Sequence, residues 1–272
     1  MEQKLTTPPR VVFLSSGGFL GDTVLRRLLE SGKFEVTGVV RSRRVMVRSV
    51  GFLRGAAAYF TRCGVVYTVY IWTITTFAEF FGLLSGTGSI TRRAKQHGIP
   101  VLHAQDVNGP RGQEFIAKCR ANLLVSAHFD QKLDPPLCDR PERAAVNIHP
   151  SPLPEGRGLE PVLHAMRRGA SGFGVTVHRI ASEIDTGAAL GMRRLTVDKH
   201  DSVLRVMQRL AESGADLLIA RADEAVIPGT GSAQSGLGTY HSWPTGRDIR
   251  QLYCVGQHLM RPRDITLFWK DP

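Results

Sequence analysis

Asn147 and His149 stand one residue apart at the end of the apolar run Ala144–His149. In a strand, successive side chains alternate between faces, so these two point the same way. An amide is a neutral hydrogen-bond donor and an imidazolium a charged one. Side by side they suit an oxygen that becomes negative in a transition state. The other reading is a polar strand end with satisfied hydrogen bonds, and the spacing alone does not choose between them. Pro150, Pro152 and Pro154 come next. Their fixed φ angles would hold the next loop stiffly beside the pair. Further on, "EIDTGAAL" places Asp185 in a loop between two predicted strands. A carboxylate near the imidazole would orient it and raise its pKa, which would keep it protonated.

These residues need a scaffold. "RVVFLSSGG" reads as a buried strand entering a glycine turn, "GDTVLRRLLESG" as a helix stopped near Gly32, and "FEVTGVVR" as a second strand. From residue 89 the alternation resumes, with a helix at "SITRRAKQHGIP", a strand at "VLH", a helix at "GQEFIAKCRA" and buried strands at "NLLVSAHF" and "AAVNIHP". "PVLHAMRRG" is a helix, "FGVTVHRI" and "ALGMRRLTV" a strand pair, and residues 202–226 a long closing helix capped by Asp201 or Ser202. Short apolar strands alternating with helices predict an α/β fold, Rossmann-like, with a mostly parallel sheet and helices on both faces. Asn147 and His149 then lie at a strand's carboxyl end, where such sheets bind ligands. The turn Ser16-Gly17-Gly18 reads either as a phosphate cradle at a helix N-terminus or as a plain tight turn, since G-x-G-x-x-G is incomplete.

The 272 residues carry 42% hydrophobic and 22% charged residues, an ordinary globular composition. Four cysteines without C-x-x-C spacing disfavour a disulfide framework or zinc site, and no apolar signal segment opens the chain. A cytoplasmic location is expected. The net charge of +11 is concentrated in part between Glu35 and Glu79, where six arginines and no acid occur. Basic charge of this kind gives salt-sensitive, nonspecific nucleic-acid association at most. Two parts exceed a simple doubly wound domain spanning 1–230: an apolar, Arg-rich insertion at 44–88, and an extension at 231–272 expected to pack back as a turn and one helix. Residues 63–78 carry no charge. The insertion reads as a buried lid, as a homodimer contact, or as a peripheral contact with an anionic membrane through Arg44, Arg48, Arg54, Arg62, Tyr67, Tyr70 and Trp72.

"NIHPSPLPEGRG", with the Asp of "EIDTG" 36 residues after the His, resembles the 10-formyltetrahydrofolate-dependent formyltransferases. "GVTVH", including His178, is similar as well. The resemblance spans roughly residues 10–42 and 89–230. It implies that Asn147, His149 and Asp185 are catalytic, with His178 structural near the site, and that 10-formyltetrahydrofolate is the formyl donor, without a metal. It places Gln131, Lys132 and Leu133, with Ser182, Glu183 and Ile184, on the donor's pterin side. Ser16, Gly17, Gly18, Arg157 and Gly158 fall on the acceptor side. The implied reaction is formyl transfer to the amine of a small or lipid-linked acceptor, such as an amino sugar, an amino-acid derivative or a lipid amine. Specific tRNA recognition is not expected, because the family's tRNA branch carries a β-barrel domain after this region. Hydrolysis of 10-formyltetrahydrofolate by the same three residues is an alternative. A non-catalytic folate-binding or membrane-associated scaffold is another.

Overall fold

The computed structural model describes residues 7–43, 57, 60–85, 88–138, 142–170 and 172–268. Arg44, Arg48 and Arg54 fall outside them.

Seven strands form one sheet in the order β3-β2-β1-β4-β5-β7-β8. They are β1 (Arg10–Ser15), β2 (Glu35–Ser42), β3 (Val101–Ala104), β4 (Leu123–Ala127), β5 (Ala144–His149), β7 (Phe173–Arg179) and β8 (Ala189–Leu195). The first five are parallel, and β7 and β8 are antiparallel additions. Alternate residues of β1 go to opposite faces. Val11 and Phe13 join one apolar cluster and Val12 and Leu14 the other, so helices must cover both sides, as the apolar runs predict.

Helices α1 (Gly18–Glu30) and α8 (Val203–Ala220) cover one face, with the short α9 (Ala222–Ala225) directly after α8. Ser202 caps α8, its side chain accepting from the Arg205 N–H. Gly214 permits the close seat of α8 on the sheet, because a Cβ there would lie 2.3 Å from Ile148 Cγ2 and 2.7 Å from Val175 Cγ2. The other face is covered by α5 (Pro110–Lys118) and the short α6 (Pro135–Cys138), through Ile116 and Leu137.

Most of the described insertion is helical. It runs through α2 (Val65–Trp72), a π-helical turn (Thr73–Phe77) and α3 (Ala78–Ser85), with α4 (Ile90–Gln96) beyond it. Its inner face is buried: Tyr67 is 0% exposed, Tyr70 5% and Ile74 6%. Burial of each such side chain contributes about 1.5–3 kcal/mol. The π turn brings backbone against backbone at Gly18, where a Cβ would lie 2.1 Å from the Ile74 carbonyl oxygen. Gly18 also has φ +70, so a side chain is excluded twice over. The outer face, by contrast, leaves Val65, Val66, Val69, Trp72, Phe77 and Phe80 exposed. Tyr67 and Tyr70 therefore do not belong to an outward apolar surface, contrary to the membrane-contact alternative. They pack inward, and Trp72 alone of the three aromatics is exposed.

The extension does more than form a turn and one helix. Besides α10 (Gly246–Cys254), it supplies β9 (Tyr240–His241), which pairs with β6 (Arg157–Gly158), and a 3-10 segment at Pro262–Phe268. Its His241 ring stacks on buried His164 of α7 (Pro161–Arg167), with centroids 4.3 Å apart.

Burial holds His164, and likewise His128 after β4, down at about 4, with His241 and His149 respectively adding to the effect. An unfolded histidine titrates near 6.5, so below that pH the unfolded chain binds protons that the folded protein does not. Stability from these groups is complete above about pH 6.5 and is lost as pH falls toward 4. Thermal melts are expected to show a lower Tm at pH 5 than at pH 7. His164→Phe keeps the ring and is expected to shrink that difference by roughly half. An unchanged difference would assign the acid sensitivity to other groups.

Candidate active site

The chain reverses direction across the sheet between β1 and β4, and the loops leaving these two strands are tied together. The Ser16 N–H donates to the His128 carbonyl at 2.9 Å, and the Asp130 N–H to Ser16 Oγ at 3.1 Å. Beside this switch point opens a cavity of about 710 Å³, within the range of small-molecule sites.

Asn147 and His149 enter it from β5, on the same face as expected. In the antiparallel pairing with β7, Asn147 lies opposite His178. The loop after β7 then carries Asp185 back over the strand ends. Asp185 has φ 57, a left-handed conformation that aspartate tolerates better than most residues. Gln234 of the extension holds this turn, donating to the carbonyls of Asp185 at 3.0 Å and Gly187 at 2.8 Å.

Asp185 is the junction of the cluster. One carboxylate oxygen lies 3.4 Å from Asn147 Nδ2 and 3.4 Å from His178 Nε2. The other accepts from the Gly158 N–H at 2.8 Å and faces His149 Nδ1 at 3.5 Å. Burial alone would raise the Asp185 carboxyl. His149, His178 and the Gly158 N–H outweigh it and hold the pKa at about 2, so the group is ionised at neutral pH.

His149 Nε2 donates to the Gly156 carbonyl at 2.8 Å. In the neutral ring this leaves Nδ1 without a proton, facing Asp185. Burial lowers the His149 pKa from 6.5 even though Asp185 pulls it up. The resting ring is therefore neutral at pH 7, not the imidazolium expected from the sequence, because desolvation exceeds the attraction of the carboxylate. A proton arriving at Nδ1 would be held between ring and carboxylate. His178 donates from Nδ1 to the Arg179 carbonyl at 2.8 Å, and its Nε2 faces the Asp185 carboxylate with Asn147 Nδ2 3.3 Å away. The Asn147 amide lines the cavity, and its Nδ2 makes only these two long contacts. His178 is a direct member of the cluster, more than the nearby structural residue read from "GVTVH".

The proline loop serves this arrangement. The Leu153 N–H donates to Thr176 Oγ1 at 3.1 Å and the Gly156 N–H to Thr239 Oγ1 at 2.9 Å. These contacts aim the Gly156 carbonyl at His149 and the Gly158 N–H at Asp185. The extension therefore buttresses the site from behind.

Residues 88–222, which hold Asn147, His149, His178 and Asp185, match the family model described as formyl transferase. This segment, about half of the chain, belongs to the formyl transferase family. A methionyl-tRNA formyltransferase from Geobacillus thermodenitrificans is 34% identical over 125 residues, 46% of this chain and 39% of that protein. One from Methylococcus capsulatus is 33% identical over 130 residues, 48% of this chain and 42% of the relative. The chain thus matches about two fifths of the length of these curated relatives. Among solved structures, a sugar N-formyltransferase from a Shewanella species superposes with a TM-score of 0.57 at 18% identity, covering 94% of both chains. Phosphoribosylglycinamide formyltransferase from Bacillus halodurans gives 0.56 at 19%, covering 81% of this chain and 97% of that one. At such identities the likeness is one of fold.

In this formyl transferase domain, the residues expected on the donor's pterin side divide. Gln131, Lys132, Leu133, Glu183 and Ile184 line the cavity, and Ser182 is not part of its wall. The Gln131 amide is a structural tie. It donates to Ser42 Oγ at 2.7 Å and the Ala104 carbonyl at 3.1 Å, and accepts from the Val107 N–H at 2.9 Å. Leu133 is buried in the core. Of the acceptor-side residues, Ser16, Gly17 and Gly158 line the cavity and Gly18 and Arg157 do not. The Arg157 guanidinium donates to the Leu237 carbonyl.

The phosphate-cradle reading of the glycine turn is corrected by a residue that the motifs do not single out. Glu79 is 3% exposed. Its carboxylate accepts from the N–H groups of Gly18 at 3.1 Å, Ile90 at 3.2 Å and Thr91 at 3.1 Å, and from Ser89 Oγ at 3.0 Å. Arg41 Nε lies 3.9 Å away. At the start of α1 the Gly18 N–H thus holds the chain's own carboxylate, and the Gly17 N–H is taken by Ser15 Oγ. The available signal was the lone acid in an apolar stretch, which reads as an interruption. The insertion also walls the cavity through Thr68, Tyr70, Ile71, Trp72, Ile74, Thr75 and Thr76, and so joins the site.

Proposed function

We propose that this chain transfers a formyl group from 10-formyltetrahydrofolate to the amine of a small or lipid-linked acceptor. The observation that carries the reading is the junction at Asp185, where Asn147, His149 and His178 converge on one ionised carboxylate in a cavity of about 710 Å³. That volume suits a folate head beside an amine. The backbone around Leu133 and the turn holding Glu183 and Ile184 form the wall fitted to the planar donor. When bound, the donor supplies the formyl carbon and a nitrogen leaving group.

The chain's residues do the rest. Asn147 presents its amide N–H to the formyl oxygen as negative charge develops there. His149 Nδ1 and Asp185 take up the proton released by the attacking amine, and their shared contact keeps it at the reacting centre until the leaving nitrogen claims it. His178 holds the amide of Asn147 in orientation. Mass spectrometry of candidate amines after incubation with 10-formyltetrahydrofolate tests the reading. The expected result is an amine gaining one formyl group. Release of formate without any formylated amine would favour the hydrolase instead.

The peripheral membrane reading draws support from the outer face of the insertion. Val65–Gly82 is long and apolar enough to cross a membrane, with mean hydropathy 1.2. Its inner residues are built into the active site, which favours lying on a bilayer over crossing it. Exposed Arg62, at the start of this segment, suits an anionic surface. Wild-type protein is expected to co-sediment with phosphatidylglycerol vesicles at low salt. Val69→Glu with Phe80→Glu is expected to abolish this without changing turnover of a soluble amine. Unchanged sedimentation would place the contact elsewhere, and a concentration-dependent dimer lost in the same variant would point to a second copy as the occupant.

A further inference from the structure

Glu160 faces the same cavity from the start of α7. Its backbone is left-handed, with φ 51 and ψ 45, and its side chain makes no capping hydrogen bond. Acidic residues at a helix start ordinarily accept from the first-turn N–H groups. This carboxylate turns instead toward the insertion, where the hydroxyl of fully buried Tyr67 lies beside it. Burial raises its pKa, and the Tyr67 hydrogen bond offsets this only in part. A carboxylate so enclosed is costly unless a cation joins it.

Two further observations define what that cation carries. Tyr70, Ile71 and Trp243 are apolar or aromatic neighbours on the cavity wall. At the glycine turn the N–H groups of Gly17 and Gly18 are already taken, by Ser15 Oγ and Glu79. A phosphate-bearing group therefore has no seat there, and an apolar body has one along the insertion.

We infer that Glu160 recognises the ammonium group of the acceptor, and that the acceptor is an alkyl or aryl amine held by this carboxylate and the apolar wall of the insertion. This rests on the formyltransferase reading of the same cavity. The bound ammonium must lose one proton before it attacks. Transfer to the carboxylate leaves a neutral amine and a carboxylic acid, so charge and protons balance.

Isothermal titration with phenethylamine and its neutral counterpart 2-phenylethanol tests this, using wild type, Glu160→Gln and Glu160→Asn. Asparagine tolerates the left-handed backbone and guards against a folding defect. Wild type is expected to prefer the amine by about tenfold or more, the scale of a hydrogen bond to a charged group. Both variants are expected to bind the two probes equally, with affinity for tetrahydrofolate unchanged. Equal binding of both probes by wild type, or an amine preference retained in both variants, would overturn the inference. Tetrahydrofolate binding is measured in parallel and separates the two readings. A Glu160-dependent amine preference without any folate binding would sink formyl transfer and leave the amine site standing. Folate binding without that preference would do the reverse.

Discussion

Asn147→Ala is expected to lower formyl transfer about 10²–10³-fold, the usual effect of removing one donor to a developing oxyanion. His149 Nε2–H is engaged by Gly156 at 2.8 Å, whereas the Asn147 Nδ2 contacts are long, at 3.3 and 3.4 Å, so its amide gives up the least on turning toward the reacting oxygen. Asp185→Ala is expected to cost at least as much. It removes the partner of His149, a contact of Asn147 and the acceptor for the Gly158 N–H together. Asp185→Asn keeps the shape but loses the charge that receives a proton with His149, so it should resemble Asp185→Ala in rate while retaining stability. Tetrahydrofolate affinity should change little in all three. Steady-state rates beside a folate titration check this, and a variant at Asp185 with near-normal turnover would remove that residue from the chemistry.

Glu79→Ala is expected to destabilise the protein by about 3 kcal/mol or more, a fall in Tm on the order of 10 °C. The substitution leaves the N–H groups of Gly18, Ile90 and Thr91 without their acceptor in a buried site. It also leaves Arg41, whose own pKa burial lowers, without its facing carboxylate. Breaking a buried charge contact from one side is among the costliest single changes. Glu79→Gln retains one acceptor oxygen and is expected to fall between. Thermal or urea unfolding measures both. A Glu79→Ala protein as stable as wild type would mean that the insertion is not anchored through this carboxylate.

The pair Asn147 and His149 was legible because strand alternation and the carboxyl end of a parallel strand are local properties. Asp185 was legible only through the motif that accompanies it. Nothing in a spacing of 36 residues tells a loop to fold back over β5, and the closure depends on the antiparallel strands β7 and β8 and on Gln234 from the extension. The neutral state of His149 depends on burial, which sequence does not reveal, and so the expected imidazolium was wrong for the resting protein. Glu79 was hidden for the opposite reason. Its environment is assembled from three segments, the glycine turn, the insertion and the start of α4, and none of these predicts the others. Tyr67 and Tyr70 looked like interface aromatics by composition. Helical phase decides which face they occupy, and the π turn after them resets that phase for α3.

The most direct measurement tracks the formyl group itself. 10-Formyltetrahydrofolate labelled at the formyl carbon is incubated with stoichiometric wild-type protein and a panel of primary amines, and the label is traced. The predicted result is label recovered as a formamide on one amine, matched by an equal amount of tetrahydrofolate and suppressed about 10²–10³-fold in Asn147→Ala. A donor left intact with every amine, or label recovered only as formate, would contradict formyl transfer by this site.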